Sequence, residues 1–184
     1  MKKTKRMRRI TVYSAMLLLF MLSLASCGGH WQPEPVSDSK LDATYLHMLV
    51  LPVDIGGQFA IDYPQAASDC RSGLIERLLA SKRFQVRPVD APPALVPDRQ
   101  TLVIKLAIIE CSIVNRWVAW QPASYIIVRM TLIDGHSGLV IRDKEFSTKN
   151  NTFAAGWSHT DAAIPKDMGS IIGDYITAVV PPAL

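Results

Sequence analysis

The chain has 184 residues, of which 20 are lysine or arginine and 16 are aspartate or glutamate, for a formal net charge of +4. Six of the cations and none of the acids precede residue 27, so 14 cations and 16 acids remain in the following 158 residues. This near-neutral balance excludes a broadly basic surface for nucleic acid or membrane, and the length suits one domain with a sizeable core.

The amino-terminal residues have the order of a bacterial secretory signal. A basic segment, 1–9, is followed by the apolar stretch 10–22 and then by Leu-Ala-Ser-Cys, which ends at Cys27. The alternative is an uncleaved anchor, but residues 10–26 only reach the lower end of the roughly 17–25 residues that span a bilayer. Such an anchor also has no need of a cysteine after small residues.

The sequence that ends at Cys27 resembles the lipobox of bacterial lipoproteins. The resemblance implies removal of residues 1–26 as a signal peptide, a diacylglycerol thioether on Cys27 and acylation of the new amino terminus. Two or three acyl chains on one residue supply the several membrane signals that stable anchoring requires. We therefore expect this lipid to hold the mature chain on a membrane outside the cytoplasm.

Residues 27–43 form a polar segment with prolines and glycines and without hydrophobic periodicity. This composition predicts a lipidated, flexible tether that would hold the rest of the chain on the order of 20 Å from the membrane. We expect residues 44–184 to form a single periplasmic domain.

The first half of this domain predicts a strand, a helix and a second strand. The apolar run 45–53 is ended by Pro52 and followed by the pair Gly56-Gly57, which is typical of a strand that leads into a loop. Apolar residues then recur at helical spacing, with Asp62 as the cap and Pro64 in the first turn. Residues 84–89 predict the second, short strand before a proline-rich connection.

The second half predicts three strands and a final helix. Residues 101–113 are rich in β-branched side chains and suit a buried strand. Residues 125–133 alternate apolar and polar side chains, and the turn sequence 134–138 leads to a return strand at 139–146, so a hairpin is predicted. Asp161 is predicted to cap the final helix, and Met168, Ile172, Tyr175 and Val179 are predicted to form its apolar stripe.

These elements predict an α+β (α/β sandwich) fold, in which a mixed or antiparallel sheet of about five strands carries two helices on one face. The predicted order is β-α-β-β-β-β-α. The side chains expected in the core of the two long strands are Leu102, Ile104, Leu106, Ile108, Ile126, Val128, Met130 and Leu132.

Two cysteines, Cys70 and Cys111, remain besides Cys27, and an oxidising periplasm would permit them to pair. One lies in the predicted first helix and the other in the long strand, where small buried cysteines are also common. The sequence leaves both a disulfide and two free thiols open, because it does not give the distance between the two Cα atoms.

No residue pattern predicts catalysis, a cofactor or a metal site. The four histidines lack the spacing that would bring two nitrogens to one metal. Ser158, His159 and Asp161 have the residue types of a hydrolytic triad, but such groups normally come from separate segments, and helix capping explains them better. The Gly56-Gly57 pair lacks the rest of a phosphate-binding loop. We therefore expect a protein that is not an enzyme.

One segment has the residues of a contact surface. Arg116, Trp117 and Trp120 follow the long strand, and Trp157 in a later polar loop would extend the same patch. Aromatic residues and arginine are enriched in protein interfaces, so envelope proteins are the expected partners. Nucleic acid is not expected as a partner, because the charge of the mature chain is near neutral. The alternative is that these tryptophans close the end of the sheet core. The oligomeric state stays open.

Residues 102–180 look like a family of small bacterial envelope lipoproteins, through the long strand, the Arg-Trp segment and a LIDGHSGLVI-type turn with its return strand. More distantly, the VLPV sequence at 50–53 and the helix around 74–79 resemble a domain of curli-secretion-type lipoproteins and of the Tol-associated periplasmic protein, in its amino-terminal part. Residues 116–124 depart from the family, which usually has glycines there. The resemblance therefore implies no site residue beyond Cys27.

Together these features predict a non-catalytic, lipid-anchored accessory or scaffold in envelope assembly, secretion or transport. The alternative is a module that binds a lipid or a cell-wall fragment in a pocket between the sheet and its helices. Gly28 stands directly after Cys27, at the position where an aspartate would resemble an inner-membrane retention signal. We therefore expect the periplasmic face of the outer membrane, with that of the inner membrane as the alternative.

Overall fold

The computed structural model describes residues 38–91, 93, 98–113, 124–148 and 163–182. Within them the chain forms six strands and three helices, in the order β-β-α-α-β-β-β-β-α, and the predicted α+β class is confirmed. The elements are β1 His47–Val50, β2 Asp54–Ile55, α1 Gly57–Asp62, α2 Ala66–Ala80, β3 Gln85–Pro88, β4 Thr101–Ser112, β5 Tyr125–Asp134, β6 Val140–Ser147 and α3 Ile164–Val179.

The sheet is mixed and has the strand order β3-β1-β4-β5-β6, with the two-residue β2 also paired to β4. Strand β1 runs parallel to β3 and β4, whereas β5 is antiparallel to both β4 and β6. The first residues of β1 and β4 therefore lie at the same end of the sheet as the last residue of β5. We call this the Thr101 end, and the opposite end, where Ser112 pairs with Tyr125, the Ser112 end.

One face of the sheet is buried under helices α2 and α3. The inward side chains of β4 and β5 are those that the period-two pattern predicted, and each is at most 5% exposed. They join the buried faces of both helices in one hydrophobic cluster that extends along the chain from Leu41 to Val180. The predicted stripe of the last helix is also confirmed, since Met168, Ile172, Tyr175 and Val179 are all buried.

A β-bulge changes which residues of β4 point inward. The register between β4 and β5 shifts between Ile108 and Glu110, so Ile109 is an extra, exposed residue. After the bulge Cys111 pairs with Ile126 and is buried, although strict alternation from Ile108 would have placed Glu110 inward. The bulge therefore adds the Cys111 thiol to the core.

Helices α2 and α3 pack at backbone contact through glycines. A Cβ added to Gly73 on α2 would overlap the carbonyl oxygen of Lys166, and one added to Gly169 on α3 would overlap that of Cys70. One turn further along, a Cβ on Gly173 would lie 2.8 Å from Cβ of Arg77. Without side chains at these positions, the two helices lie close enough for both to cover the same face of the sheet.

The start of the first long helix differs from the prediction. Asp62 is the last residue of the additional helix α1, and α2 begins at Ala66 after Gln65 at its N-cap position. Pro64 explains the break, because a proline disfavours helical backbone in the residue before it, and Tyr63 has φ −133° and ψ 64°. The predicted strand at 45–53 is likewise shorter, since only β1, His47–Val50, falls within it, and β2 follows at Asp54–Ile55.

The final helix begins at Ile164, with Pro165 in its first turn, where a missing backbone N–H has no cost. The predicted cap, Asp161, lies outside the described residues, and Ala163 occupies the N-cap position. None of the helices within the described ranges is long and apolar enough to cross a bilayer.

We expect Gly169→Ala to lower the free energy of unfolding by about 2–3 kcal/mol, because the added methyl group would force apart two packed backbones. Without this overlap, alanine would stabilise a helix interior. The control is Gly56→Ala, where no atom lies within 4 Å of the added Cβ and the change should stay below about 1 kcal/mol. Urea unfolding of both variants measures the difference, and a Gly169→Ala protein as stable as the wild type would refute the close helix packing.

Candidate functional site

Most of the predicted site residues lie outside the described residues. These are the lipidation residue Cys27 and the partner-binding residues Arg116, Trp117, Trp120 and Trp157. Their roles stay predictions.

Cys70 and Cys111 are described, and both are free, buried thiols, so the disulfide left open by the sequence is not formed in this structure. Burial raises the pKa of Cys70 to about 12 and that of Cys111 to about 11. A nucleophilic or metal-binding cysteine needs the thiolate, which these environments disfavour. The two thiols are therefore core residues in this structure, and no group of three metal-binding side chains occurs in the described part of the chain.

The carboxylate of Asp134 organises the hairpin turn between β5 and β6. Its Oδ1 accepts hydrogen bonds from the backbone N–H of Ser137 at 2.7 Å and of His136 at 3.1 Å, and its Oδ2 accepts one from the Tyr45 hydroxyl at 3.0 Å. Gly138 has φ +74°, which suits glycine. These contacts assign Asp134 a structural role in the turn.

The predicted tether joins the folded domain earlier than residue 44. Leu41 is only 7% exposed and belongs to the core cluster, and its backbone N–H donates to the carbonyl oxygen of Val179 at 2.8 Å. This bond places the segment beside the carboxyl end of α3. Leu41 thus attaches residues 38–43 to the domain, and the predicted tether does not extend as far as residue 43.

Asp38 is held by three side chains that converge on one of its oxygens. Its Oδ2 accepts a hydrogen bond from Lys144 Nζ at 2.5 Å and another from the Tyr175 hydroxyl at 2.7 Å. The Arg142 guanidinium lies 3.8 Å from the same oxygen and also donates to the carbonyl oxygen of Ser39 at 3.1 Å. We call Asp38, Arg142, Lys144 and Tyr175 the Asp38 cluster.

Strand alternation produces this cluster. Arg142, Lys144 and Phe146 pair with inward-facing residues of β5, so they lie on the helix-covered side of β6, the edge strand. The Phe146 and Tyr175 rings meet edge to face at 5.2 Å, and Lys144 Nζ lies 4.6 Å from the centre of the Tyr175 ring. Inward-pointing charges on an edge strand also hinder unwanted pairing with another chain.

The electrostatics of the cluster favour a charged Asp38. The hydrogen bond from Lys144, followed by that from Tyr175, lowers the pKa of the Asp38 carboxyl, while burial opposes them. Burial and the bond to this carboxylate raise the pKa of Tyr175 to about 12. Two cations and one carboxylate leave the cluster with an excess positive charge at neutral pH.

A cavity of about 300 Å³ lies beside the cluster, at the Thr101 end of the sheet. Arg142 is one wall of it, and the packed end of the predicted tether is the other. The lining residues are Ser39, Lys40, Leu41, Asp42, Ala43, Tyr45, Ile141 and Arg142.

The sequence did not reveal the Asp38 cluster as a site. One signal was present: Arg142, Lys144 and Phe146 share one side of a predicted strand, which is typical of an edge strand. Nothing in the sequence indicated that Asp38, in a polar segment more than 100 residues away, would be their partner.

No known protein family matches this chain, and no curated protein matches it. Several solved structures are similar. A PelC dodecamer subunit from Paraburkholderia phytofirmans is 16% identical over 73% of this chain and 93% of its own, with a TM-score of 0.44. Protein XCC0632 from Xanthomonas campestris is 10% identical over 77% and 90%, with a TM-score of 0.46.

The lipoprotein GNA1162 from Neisseria meningitidis is 12% identical over 55% of this chain and 81% of its own, with a TM-score of 0.34. At these identities and TM-scores, none of the three proteins assigns a family or a function to this chain. The resemblance to curli-secretion-type and Tol-associated proteins stays a prediction.

We expect Asp38→Asn to destabilise the protein at neutral pH but not in acid. The pKa of Asp38 is lowered in the folded state, so its contribution is present above the unfolded value of about 3.9 and is lost as the pH falls through the folded value. Urea unfolding at neutral pH and at low pH would measure the difference from the wild type. Asp42→Asn is the control at a nearby exposed carboxylate, and equal stability of wild type and Asp38→Asn at neutral pH would contradict the role of the cluster.

Proposed function

We propose that this chain is a lipoprotein of the bacterial envelope, anchored through acyl chains on Cys27, and that its domain is a non-catalytic accessory or scaffold in envelope assembly, secretion or transport. The observation that carries the proposal is the Leu-Ala-Ser-Cys sequence that ends at Cys27, behind a basic and then apolar leader.

The packing of residues 38–43 supports an anchored domain. The first described residue is Asp38, whose carboxylate is bound by Lys144 and Tyr175. Ten residues, 28–37, then separate it from Cys27. As the coil that their composition predicts, they would span about 16–19 Å, so the domain would stay close to the membrane.

The two ends of the sheet are formed by different segments. Leu41 lies beside Val179 at the Thr101 end, whereas the Asp38 cluster lies along β6, where Lys144 pairs with Met130. The strand ends that flank residues 114–123 are Ser112 and Tyr125, at the opposite end. A patch that contains Arg116, Trp117 and Trp120 would attach at this end, and we propose that it recognises envelope proteins, since aromatic residues and arginine are enriched in interfaces.

The non-catalytic role is supported by the chemistry of the groups that the structure describes. The thiols of Cys70 and Cys111 have raised pKa values, and the Asp134 carboxylate is used in a turn. Gly28 after Cys27 supports the periplasmic face of the outer membrane as the location, with the inner membrane as the alternative.

A second candidate function is a module that binds a lipid or a cell-wall fragment. The cavity of about 300 Å³ favours it, since the lining includes the cations Lys40 and Arg142 and the carboxylate Asp42. However, this cavity lies beside the packed end of the predicted tether and not between the sheet and its helices, where the sequence predicts a binding pocket for this alternative.

We expect Cys27→Ser to abolish incorporation of a labelled palmitate analogue in cells, because serine provides no thiol for the thioether. Cys111→Ala removes a buried thiol and retains Cys27, so it should incorporate the label as the wild type does. Labelling and intact mass of the immunoprecipitated chains give the readout. A Cys27→Ser chain that matures to the wild-type mass and carries the label would refute the lipoprotein proposal.

We expect Trp120→Ala to reduce crosslinks to envelope proteins in intact cells by about tenfold or more, as is typical of an aromatic residue at the centre of an interface. Mass spectrometry would identify the crosslinked proteins, and Trp31→Ala in the predicted tether is the control. A loss of stability with unchanged crosslinks would instead favour a core role for Trp120.

A further inference from the structure

We propose that the cavity beside the Asp38 cluster binds a short acidic peptide with free ends, as the peptide part of a cell-wall fragment. Two carboxylates of the peptide would pair with Lys40 and Arg142, and its ammonium group would pair with Asp42. The inference rests on the second candidate function, a module that binds a lipid or a cell-wall fragment. It names the part of the ligand that this site would recognise.

A second β-bulge shapes one wall of the cavity. The register between β5 and the edge strand β6 shifts there, so Ile141 is an extra residue without a partner on β5. Ile141 and Arg142 both line the cavity, although consecutive residues of a regular strand point to opposite faces of the sheet. The bulge therefore adds Ile141 to the wall that contains Arg142. Bulges at sheet edges often direct side chains toward a site in this way.

The opposite wall is fixed on the domain by hydrogen bonds. Leu41 and Tyr45 are buried, and the backbone N–H of Leu41 donates to the carbonyl oxygen of Val179 at 2.8 Å. The Arg142 guanidinium donates to the carbonyl oxygen of Ser39 at 3.1 Å, which joins the two walls. Little conformational entropy would therefore be lost in ordering the site around a ligand.

The positive charge of Arg142 is only partly compensated. The Asp38 oxygen that it faces already accepts hydrogen bonds from Lys144 Nζ at 2.5 Å and from the Tyr175 hydroxyl at 2.7 Å. Arg142 lies farther from that oxygen, at 3.8 Å, and its side chain is only 20% exposed. A partly buried cation beside a cavity favours an anionic ligand, because salt screens it less than an exposed one.

Two further charged residues define the chemistry of the ligand. Lys40 and Asp42 line the cavity, are exposed, and form no ion pair within the part of the chain that the structure describes. Together with Arg142 they present two cations and one carboxylate, which complement a ligand with two carboxylates and one ammonium group. An acidic dipeptide with free ends has this set of charges, whereas a neutral sugar has none of them.

The size and lining of the cavity favour a peptide over a lipid. Its volume of about 300 Å³ lies at the lower end of the range for ligand pockets, which suits a small ligand. The apolar lining residues Leu41 and Tyr45 are only 7% and 3% exposed, so they leave little apolar surface for an acyl chain.

The test measures binding of the dipeptide Ala-Glu to the lipidated mature chain in detergent micelles. Methyl NMR signals of Leu41 and Ile141 report on the cavity, and that of Ile61 on α1 is the matched control. We expect the signals of Leu41 and Ile141 to shift with a Kd on the order of 1 mM or tighter, and that of Ile61 to stay unchanged.

Exposed charge variants test the individual contacts. Lys40→Gln should weaken binding of Ala-Glu by about fivefold, because it removes one cation from the cavity. N-acetyl-Ala-Glu lacks the ammonium group, so the wild type should bind it about fivefold more weakly than Ala-Glu, and Asp42→Asn should abolish this difference. Asp143→Asn is the control, since Asp143 pairs with Thr131 on the other face of β6, and it should retain the difference.

Wild-type signals of Leu41 and Ile141 that do not move with Ala-Glu on the order of 10 mM would overturn the acidic peptide as the ligand. A difference between the two dipeptides that Asp42→Asn retains would overturn the contact with its ammonium group. Two further probes, the disaccharide of N-acetylglucosamine and glycerol phosphate, test the second candidate function separately. Shifts with either probe and not with Ala-Glu would leave that function standing without the peptide, whereas no shift with any of the three would overturn both.

Discussion

The close approach of α2 and α3 is the constraint on which the rest of the structure depends. The two helices touch through Gly73 and Gly169, so both fit over the same inward face of β4 and β5. The carboxyl end of α3 is thereby brought to the Thr101 end of the sheet, where the carbonyl oxygen of Val179 accepts the bond from Leu41. A wider separation of the helices would expose core side chains and displace this contact.

The Asp38 cluster depends on that arrangement, because its members come from three parts of the chain. Tyr175 is supplied by α3, Arg142 and Lys144 by the edge strand β6, and Asp38 by the polar segment before the first strand. The cluster has two roles that are linked by charge. It satisfies cations that point inward from an edge strand, and it fixes Asp38, the first described residue, on the domain.

The register of the sheet determines which segments lie at each of its ends. Leu41 packs beside Val179 at the Thr101 end. The predicted Arg-Trp segment is flanked by the last residue of β4, Ser112, and the first residue of β5, Tyr125, which pair at the opposite end of the sheet.

The sequence by itself determined the fold class, the inward faces of β4 and β5, the hairpin and the stripe of the last helix, because these follow from periodicity and turn chemistry within short segments. It also indicated the predicted lipid site at Cys27. Only the tertiary structure decided that a bulge buries Cys111 and that Asp38 binds Lys144 and Tyr175. These outcomes depend on contacts between residues that are distant in the chain, or on a one-residue change of register, and local patterns carry no information about either.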